Sequence, residues 1–392
     1  MELTMAHAKK SPSGSKMWTA CPASFHLQQG FPNKSSLASA MGTALHFLAS
    51  EVLIKDKDIQ KALGHSIFVM KDGTEGWGTR DNAYLNHIIA QDDIDNVSIY
   101  VNYVRNTEGI KHIEVALPLE TLTGETGAVG TSDSCILDIE NGLLTIVDLK
   151  MGRHKVDVND NSQLKMYALA ALENFKEYDF RMVKIVIIQP LLNYVGEQYH
   201  SVESLLQFKK FLYERSQYID TLTINTLKDD DFYMSDETCK WCKAKAICPA
   251  QIAGVMSVNY VDCEKINNEQ LANYLSQVDM IRSWCDAIEQ YAFEKLENGD
   301  EIEGFELRAG KHGNRKWSDE KAVLSMLDEH NIDSDLFFEK KFISPTALDK
   351  LFKNKVLDEN VYTQLTSLIV RPEGKMTLHK KVTPDFNFKT IN

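Results

Sequence analysis

Residues 130–167 read GTSDSCILDIENGLLTIVDLKMGRHKVDVNDNSQLKMY, and the folding of this stretch decides how the chain is read. Asn141-Gly142 is a hairpin signal, because a type I′ turn needs positive φ at both central residues. Its flanks are strand-forming: Ile136, Leu137 and Ile139 before it, then Leu143, Leu144, Ile146, Val147 and Leu149 after it. With Asn141 and Gly142 as the two loop residues, 140 pairs with 143. Asp133 then lies opposite Lys150, and Cys135 opposite Asp148. Opposed side chains share a face, as do residues two apart on one strand. Asp133, Asp148 and Lys150 are therefore expected on one face. Opposed Cβ atoms lie roughly 5 Å apart and diagonal ones about 7–8 Å, so both carboxylates can reach one hard cation. A one-residue slip of register would break this arrangement.

These residue types suit attack on a phosphodiester, which is anionic and repels hydroxide. Carboxylate-bound Mg²⁺ or Mn²⁺ can lower the pKa of a water and neutralise charge in the transition state. A neighbouring lysine can position that water or stabilise developing charge. Taken alone, the D-x-K triplet reads more readily as a surface hairpin with an Asp133–Lys150 salt bridge. Its neighbours add weight. Gln163 and Tyr167, spaced i, i+4, share a helix face, and Lys150, Arg153, His154 and Lys155 form a basic run suited to phosphates.

GTSD, IVDLK and QLKMY, in this order, resemble the PD-(D/E)xK nuclease superfamily, most closely its RecB-like branch. The resemblance implies that Asp133 and Asp148 bind metal and that Lys150 is the catalytic lysine. It makes Gln163 and Tyr167 the Q-x-x-x-Y motif that helps hold the site and the DNA strand. GTALH at 42–46 resembles the helix that supplies a histidine, here His46. Glu114, in IEVALPLE, is a further acid of weaker match, and an exposed strand glutamate is an equally good reading of it.

Cys239, Cys242 and Cys248 form a C-x2-C-x5-C cluster, and Cys21 stands far upstream in TACPAS. No secretory signal is apparent, so disulfides are not expected, and three thiols this close point to a metal. Four cysteines suit either Zn²⁺ or an iron–sulfur cluster, and spacing does not separate them. AddB-type and CRISPR-adaptation nucleases carry one cysteine before the nuclease core and three after it, and use them to hold a [4Fe-4S] cluster. This chain resembles them in that order, which implies the same group here, tying the start of the chain to the end of the core. Cys135, Cys263 and Cys285 are expected to be buried small apolar residues.

The chain has 392 residues, 43% of them hydrophobic, and a formal net charge of −13. That charge argues against indiscriminate coating of DNA but leaves room for a local basic groove. Basic patches are Lys150 to Lys155, Lys240 to Lys245 around Trp241, and Arg308 to Trp317. No run of 18 apolar residues occurs, so no membrane span is expected.

The expected fold is α/β, a restriction-endonuclease-like core with a central mixed sheet flanked by helices. Helices are expected over 11–28, 35–55, 80–107, 160–175 and 202–225. Strands are expected over 111–119, 127–139, 143–150, 182–189 and 194–201. Residues 1–250 are read as the nuclease core closed by the cysteines. Residues 251–392 are read as a mainly helical accessory region, with a long helix at 265–298 and a strand at 304–309. With its opening SPSGSKMW and CPAS segment and its later NRKW, the whole chain also resembles an uncharacterised family of phage and prophage proteins predicted to be nucleases.

The expected function is a metal-dependent deoxyribonuclease, an exonuclease processing DNA ends in phage recombination or replication. The alternatives are a structure- or site-specific endonuclease, and a catalytically idle DNA-binding or scaffold protein. DNA is the expected partner, with a phage single-strand-binding or annealing protein as a further candidate, and the bacterial host cytoplasm is the expected location. GFELRAGKH at 304 lacks the spacing of a phosphate-binding loop and a Ser or Thr after the lysine, so a helicase motor is not expected within this chain.

Overall fold

The computed structural model describes residues 6–32, 35–256, 267–308, 320–329, 333 and 343–369. The chain divides into two units, Met1–Asn298 and Gly299–Asn392.

In the first unit a two-residue strand, β1 (Ala6–His7), precedes helices α1 (Ser15–Ala20), α2 (Pro22–Leu27) and α3 (Leu37–Ile54). Strands β2 (Ser66–Val69), β3 (Glu75–Trp77) and β4 (Leu85–Ile88) follow, then α4 (Gln91–Asn106) and β5 (Ile110–Pro118). Next come α5 (Glu120–Thr123), β6 (Ala128–Asp138), β7 (Leu143–Leu149), α6 (Ser162–Asn174), β8 (Met182–Gln189), β9 (Tyr194–Ser201) and α7 (Val202–Thr221). Helices α8 (Asp236–Cys239), α9 (Pro249–Met256) and α10 (Asn268–Glu297) close the unit.

The fold is mixed α/β, as expected. The main sheet runs β5-β6-β7-β8-β9, with β1 beside the start of β6. β5, β6 and β7 are antiparallel neighbours, β7 and β8 are parallel across α6, and β8 returns antiparallel into β9. Strand alternation divides the core between the two faces of this sheet. Cys135, Leu137, Leu144, Ile146, Ile185 and Ile187 pack with α6 and α7. Ile136, Val147, Leu149, Val186 and Ile188 pack with α3 and α4. Helices on both faces explain the near-continuous apolar run of β8, where period-two patterning fades because both faces are buried.

Among the described helices, α3 is long and apolar enough to cross a membrane by length and composition. Its Ala40, Ala44, Leu45, Leu48, Ala49 and Val52 are instead packed in the core.

The central hairpin departs from its expected register. Asp138 pairs with Leu143, leaving residues 139–142 as a four-residue loop. Asn141 does not take positive φ, so no type I′ turn forms; Gly142 alone does, at φ +63°. The competing chemistry is Asp138, whose carboxylate accepts the Asn141 backbone N–H (3.1 Å) and its side-chain amide (2.8 Å). The register therefore slips by two residues. Asp133, not Cys135, continues the ladder opposite Asp148. An even slip preserves facing, so both acids remain on the expected face.

The segment 80–107 is not helical throughout. Residues Leu85–Ile88 form β4, and α4 begins only after Ala90, whose N–H is capped by the Asp93 carboxylate at 2.8 Å. β4 pairs with β2, and β2 with β3, in a small antiparallel sheet that the sequence reading missed entirely. The stretch 11–28 breaks into a 3-10 turn and two short helices at Cys21. Cys135 is buried as expected, Cys285 is exposed instead, and Cys263 lies outside the described residues.

The second unit contains α11 (Glu320–Glu329), α12 (Pro345–Lys353) and α13 (Glu359–Thr366). Phe352 of α12 stacks on Tyr362 of α13 at 4.1 Å, and the Tyr362 hydroxyl donates to Asp349 at 2.9 Å. The strand expected near 304–309 is reduced over the described residues to one bridge between Ile302 and Phe305. The basic patch Arg308 to Trp317 lies outside the described residues beyond Arg308.

Candidate active site

Asp148, at the end of β7, is 3% exposed. Its Oδ1 accepts the Gln163 amide at 3.2 Å, and its Oδ2 lies 2.9 Å from Lys150 Nζ. Lys150 also donates to Gln163 Oε1 at 3.3 Å, closing a three-residue ring. α6 can supply Gln163 because Asn161 caps it, accepting the Leu164 N–H at 3.1 Å, which sets Gln163 in the first turn. Burial alone would lower the Lys150 pKa, but the Asp148 carboxylate outweighs it and raises the value. Lys150 is thus held as a cation.

Tyr167 follows one turn after Gln163 and is buried; burial, then the charge of Asp148, raises its pKa and keeps the hydroxyl protonated. Its ring packs on Gly130, where an added Cβ would come within 3.2 Å of Tyr167 Cε1 and 3.0 Å of Leu119 Cδ1. A side chain at the glycine of GTSD would therefore crowd these neighbours.

Asp133 reaches across the hairpin to accept the Leu149 backbone N–H at 2.8 Å. The same oxygen lies 3.5 Å from His46 Nδ1, presented by α3. Burial, opposed by the His46 charge and reinforced by Asp148, raises the Asp133 pKa. Glu114 and Asp133 are the one opposed pair missing from the β5–β6 ladder. Glu114 takes φ +51° there, a left-handed conformation inside a strand. Its carboxyl keeps an exposed flank, yet the protein mass around it, then the charges of Asp133 and Glu75, push its pKa up to about 7. Ligand atoms of His46, Glu114 and Asp133 all lie within 4.8 Å of one another, the one such group of three among the described residues. Asp148, expected as the second metal acid, stands outside this compact trio, held by Lys150 and Gln163.

Two residues at this site escaped the sequence reading. Glu75 of β3 lines the same open cleft as His46, Glu114, Thr131 and Asp133, and its own pKa is raised by burial. Tyr100 of α4, 2% exposed, shares a 2.6 Å hydrogen bond with Ser134 beneath the acids. Asp72-Gly73 in KDGTEGW is a hairpin signal that would have exposed the β2–β3 turn and with it Glu75.

The cysteines meet at one cavity lined by Cys21, Cys239, Cys242 and Cys248, with Leu27, Phe232 and Met234 among its apolar walls. Distant contacts explain how Cys21 joins the later three. Gln28 of α2 accepts the Lys243 N–H at 3.0 Å, and Lys16 of α1 pairs with Glu237 of α8. Burial raises the Cys21 pKa and pushes Cys242 up to about 12, with repulsion from neighbouring sulfurs adding to each. Gln251 also lines this cavity at 2% exposure, and neither atom of its amide has a hydrogen-bond partner. Lys245 lines it too, its ammonium donating to Ser283 Oγ at 2.6 Å and thereby tying the cysteine loop to α10.

A solved structure titled "Crystal structure of SSO0001" is similar over 40% of this chain and 68% of its own, with 14% identity and a TM-score of 0.23. A likeness that low carries no argument. The family model described as "Protein of unknown function (DUF2800)" matches residues 7–384, and the chain belongs to that family.

Proposed function

We propose that the protein is a metal-dependent deoxyribonuclease acting on DNA ends. The carrying observation is the junction of two groups at one end of the sheet: the ring of Asp148, Lys150 and Gln163, and the trio of His46, Glu114 and Asp133. The trio mixes two carboxylates with an imidazole, a donor set suited to Mn²⁺ or Mg²⁺. Asp148, buried and paired with Lys150 at 2.9 Å, adds a further carboxylate whose charge acts on Asp133. His46, Glu114, Asp133 and Asp148 would hold the metal, which when bound supplies charge neutralisation on a phosphodiester. Lys150, cationic and fixed by two partners, is placed to stabilise negative charge developing on a phosphoryl oxygen. Gln163 orients both Asp148 and Lys150, and Tyr167 buttresses the helix that carries Gln163.

The four cysteines fit a metal group. Gln251 supports this, because two orphaned amide atoms in a buried cavity cost stability unless a partner occupies it. Four thiols suit zinc or an iron–sulfur cluster; the order of one cysteine before the core and three after it, shared with the nucleases this chain resembles, favours a [4Fe-4S] cluster, which would bind Cys21, Cys239, Cys242 and Cys248 and staple the core. This reading carries with it a location in the cytoplasm of a bacterial host.

The test is digestion of end-labelled linear DNA and closed circular DNA with Mg²⁺ and with Mn²⁺. The wild type should degrade linear DNA, and Asp148→Ala and Lys150→Ala should each lose at least about 10²-fold. Unchanged cleavage by both purified variants would remove the site assignment. Cutting of closed circles at the linear rate would favour an endonuclease.

A further inference from the structure

Trp241 is 64% exposed although both its neighbours in the chain belong to the cysteine loop, Lys240 and the cavity-lining Cys242. Its described ring contacts are a cation and an edge. Lys240 Nζ sits 5.3 Å from the ring centre, and His154 meets it at 5.7 Å with planes 69° apart. Lys240 Nζ is also 3.4 Å from His154 Nδ1. Beyond His154, Lys155 Nζ lies 4.8 Å from the ring centre of Tyr194. Aromatic faces and cations thus alternate along one stretch of surface, in a chain whose formal net charge is −13.

This surface is built onto the candidate active site. The loop carrying Arg153, His154 and Lys155 leaves directly from Lys150, whose backbone N–H donates to Ile188 at 2.8 Å. The next residue of β8, Gln189, is fully buried. Its amide donates to the carbonyls of Gly152 and His154, both at 2.7 Å, and its oxygen accepts the Val156 N–H at 3.1 Å. One buried side chain therefore pins the loop at three points, while Arg153, His154 and Lys155 stay exposed. Asp157, the nearest acid along the loop, is engaged in its own turn, accepting the Asn159 backbone N–H at 3.0 Å and its side-chain amide at 2.9 Å. His154 is the fourth residue after Lys150, at most about 14 Å of chain, so a strand resting on the platform reaches the acids within a few nucleotides.

We propose that Trp241 and His154, with Lys240, Arg153 and Lys155, form a base-stacking platform for single-stranded DNA that leads to Asp148 and Lys150. A duplex hides its base faces, so an exposed indole flanked by ammonium groups has stacking value for unpaired bases. The cations track phosphates without reading sequence. This deepens the deoxyribonuclease reading by naming its substrate as unpaired strands, and it rests on that reading for the choice of DNA.

The test is equilibrium binding of the full chain, in EDTA, to fluorescein-labelled oligo-dT, a blunt duplex and oligo-U. Wild type should bind oligo-dT more tightly than duplex. Trp241→Ala should weaken oligo-dT binding roughly 5- to 100-fold and change duplex binding less than about twofold. Trp241→Phe should restore most of the loss, and the Trp241→Ala melting temperature reports that folding is kept. Lys240→Ala should reduce the salt dependence by about one phosphate contact. Oligo-dT binding unchanged in Trp241→Ala, or equal loss on duplex, would each overturn the platform; oligo-U bound as tightly as oligo-dT would overturn the choice of DNA as its strand. Because binding is read without metal, the two readings separate. Trp241-dependent binding without any cleavage removes the nuclease and keeps the platform. Cleavage with binding indifferent to Trp241 does the reverse.

Discussion

Replacing Glu114 with glycine should stabilise the metal-free protein while abolishing part of its response to metal. Glu114 holds φ +51° inside β5, a conformation that costs a non-glycine residue roughly 1–2 kcal/mol. Its carboxyl titrates at about 7 because of the protein mass around it, Asp133 and Glu75. An acid raised from about 4.3 to 7 loses roughly 3–4 kcal/mol when fully buried; the exposed flank of Glu114 screens this to about 1 kcal/mol. The folded state binds more protons than the unfolded state between those pH values. The wild type without metal is therefore most stable below about pH 4.3 as far as this group is concerned, and it loses that ~1 kcal/mol as pH rises to 7. Glycine removes strain and charge together and adds back about 0.5–1 kcal/mol of strand entropy. The balance at pH 8 is a gain of about 1–2 kcal/mol, or roughly 2–4 °C in melting temperature. Glu114→Gln removes only the charge, so its gain should reach about 1 kcal/mol at pH 8 and shrink markedly by pH 5. Thermal melts in EDTA at both pH values, repeated with Mn²⁺, measure this directly. Mn²⁺ should raise the wild type more than either variant, since binding to the folded state alone adds stability. A Glu114→Gly protein that melts below wild type in EDTA at pH 8 would refute the strain argument. Equal Mn²⁺ shifts in all three would refute the ligand assignment.

Two further predictions concern groups that close packing or burial has placed. Gly130→Ala forces a Cβ to within 3.0 Å of Leu119 and 3.2 Å of Tyr167, so it should cost about 1–3 kcal/mol and misplace the Gln163 helix; a melt within 0.5 °C of wild type would show that these neighbours yield freely. Gln251→Leu should lower iron retention of anaerobically purified protein under chelator roughly 10- to 100-fold, because an outer amide no longer supports the sulfurs; unchanged iron, sulfide and visible absorbance would detach Gln251 from the cysteine group.

Much of the site was legible because its residues lie on locally patterned elements. Asp133, Asp148 and Lys150 flank a short hairpin, and Gln163 sits one residue past the start of a capped helix. The hairpin register was read two residues off, since an Asp138 side-chain turn outcompeted Asn141-Gly142. Facing survived because side-chain orientation depends only on parity. What escaped depends on long-range contact. Glu75 enters the cleft through a small sheet whose short strands carry little periodicity. Gln189 ends an apolar strand, and Gln251 lies on a short helix; neither position has a pattern that marks a buried amide as different from an exposed one.

The costs in this fold are not spread evenly, and their distribution bears on the idle-scaffold alternative. Through Ile185–Ile188 of β8 and Ile146–Val147 of β7 the sheet is apolar on both faces and its side chains are fully buried. The left-handed Glu114 in the middle of β5, the half-buried Asp133 opposite it in β6, whose pKa is raised, and the buried Asp148 at the end of β7 lie around one site. Such features persist only where surrounding packing over-determines them, and the two core clusters on either side of the sheet provide that packing. A protein that needed only the scaffold could relieve the strain at position 114 with a glycine. That change would be stabilising on the arithmetic above. That all remain together, beside a cationic lysine and an imidazole, is the arrangement expected when a bound cation and an anionic substrate offset the same costs in the working state.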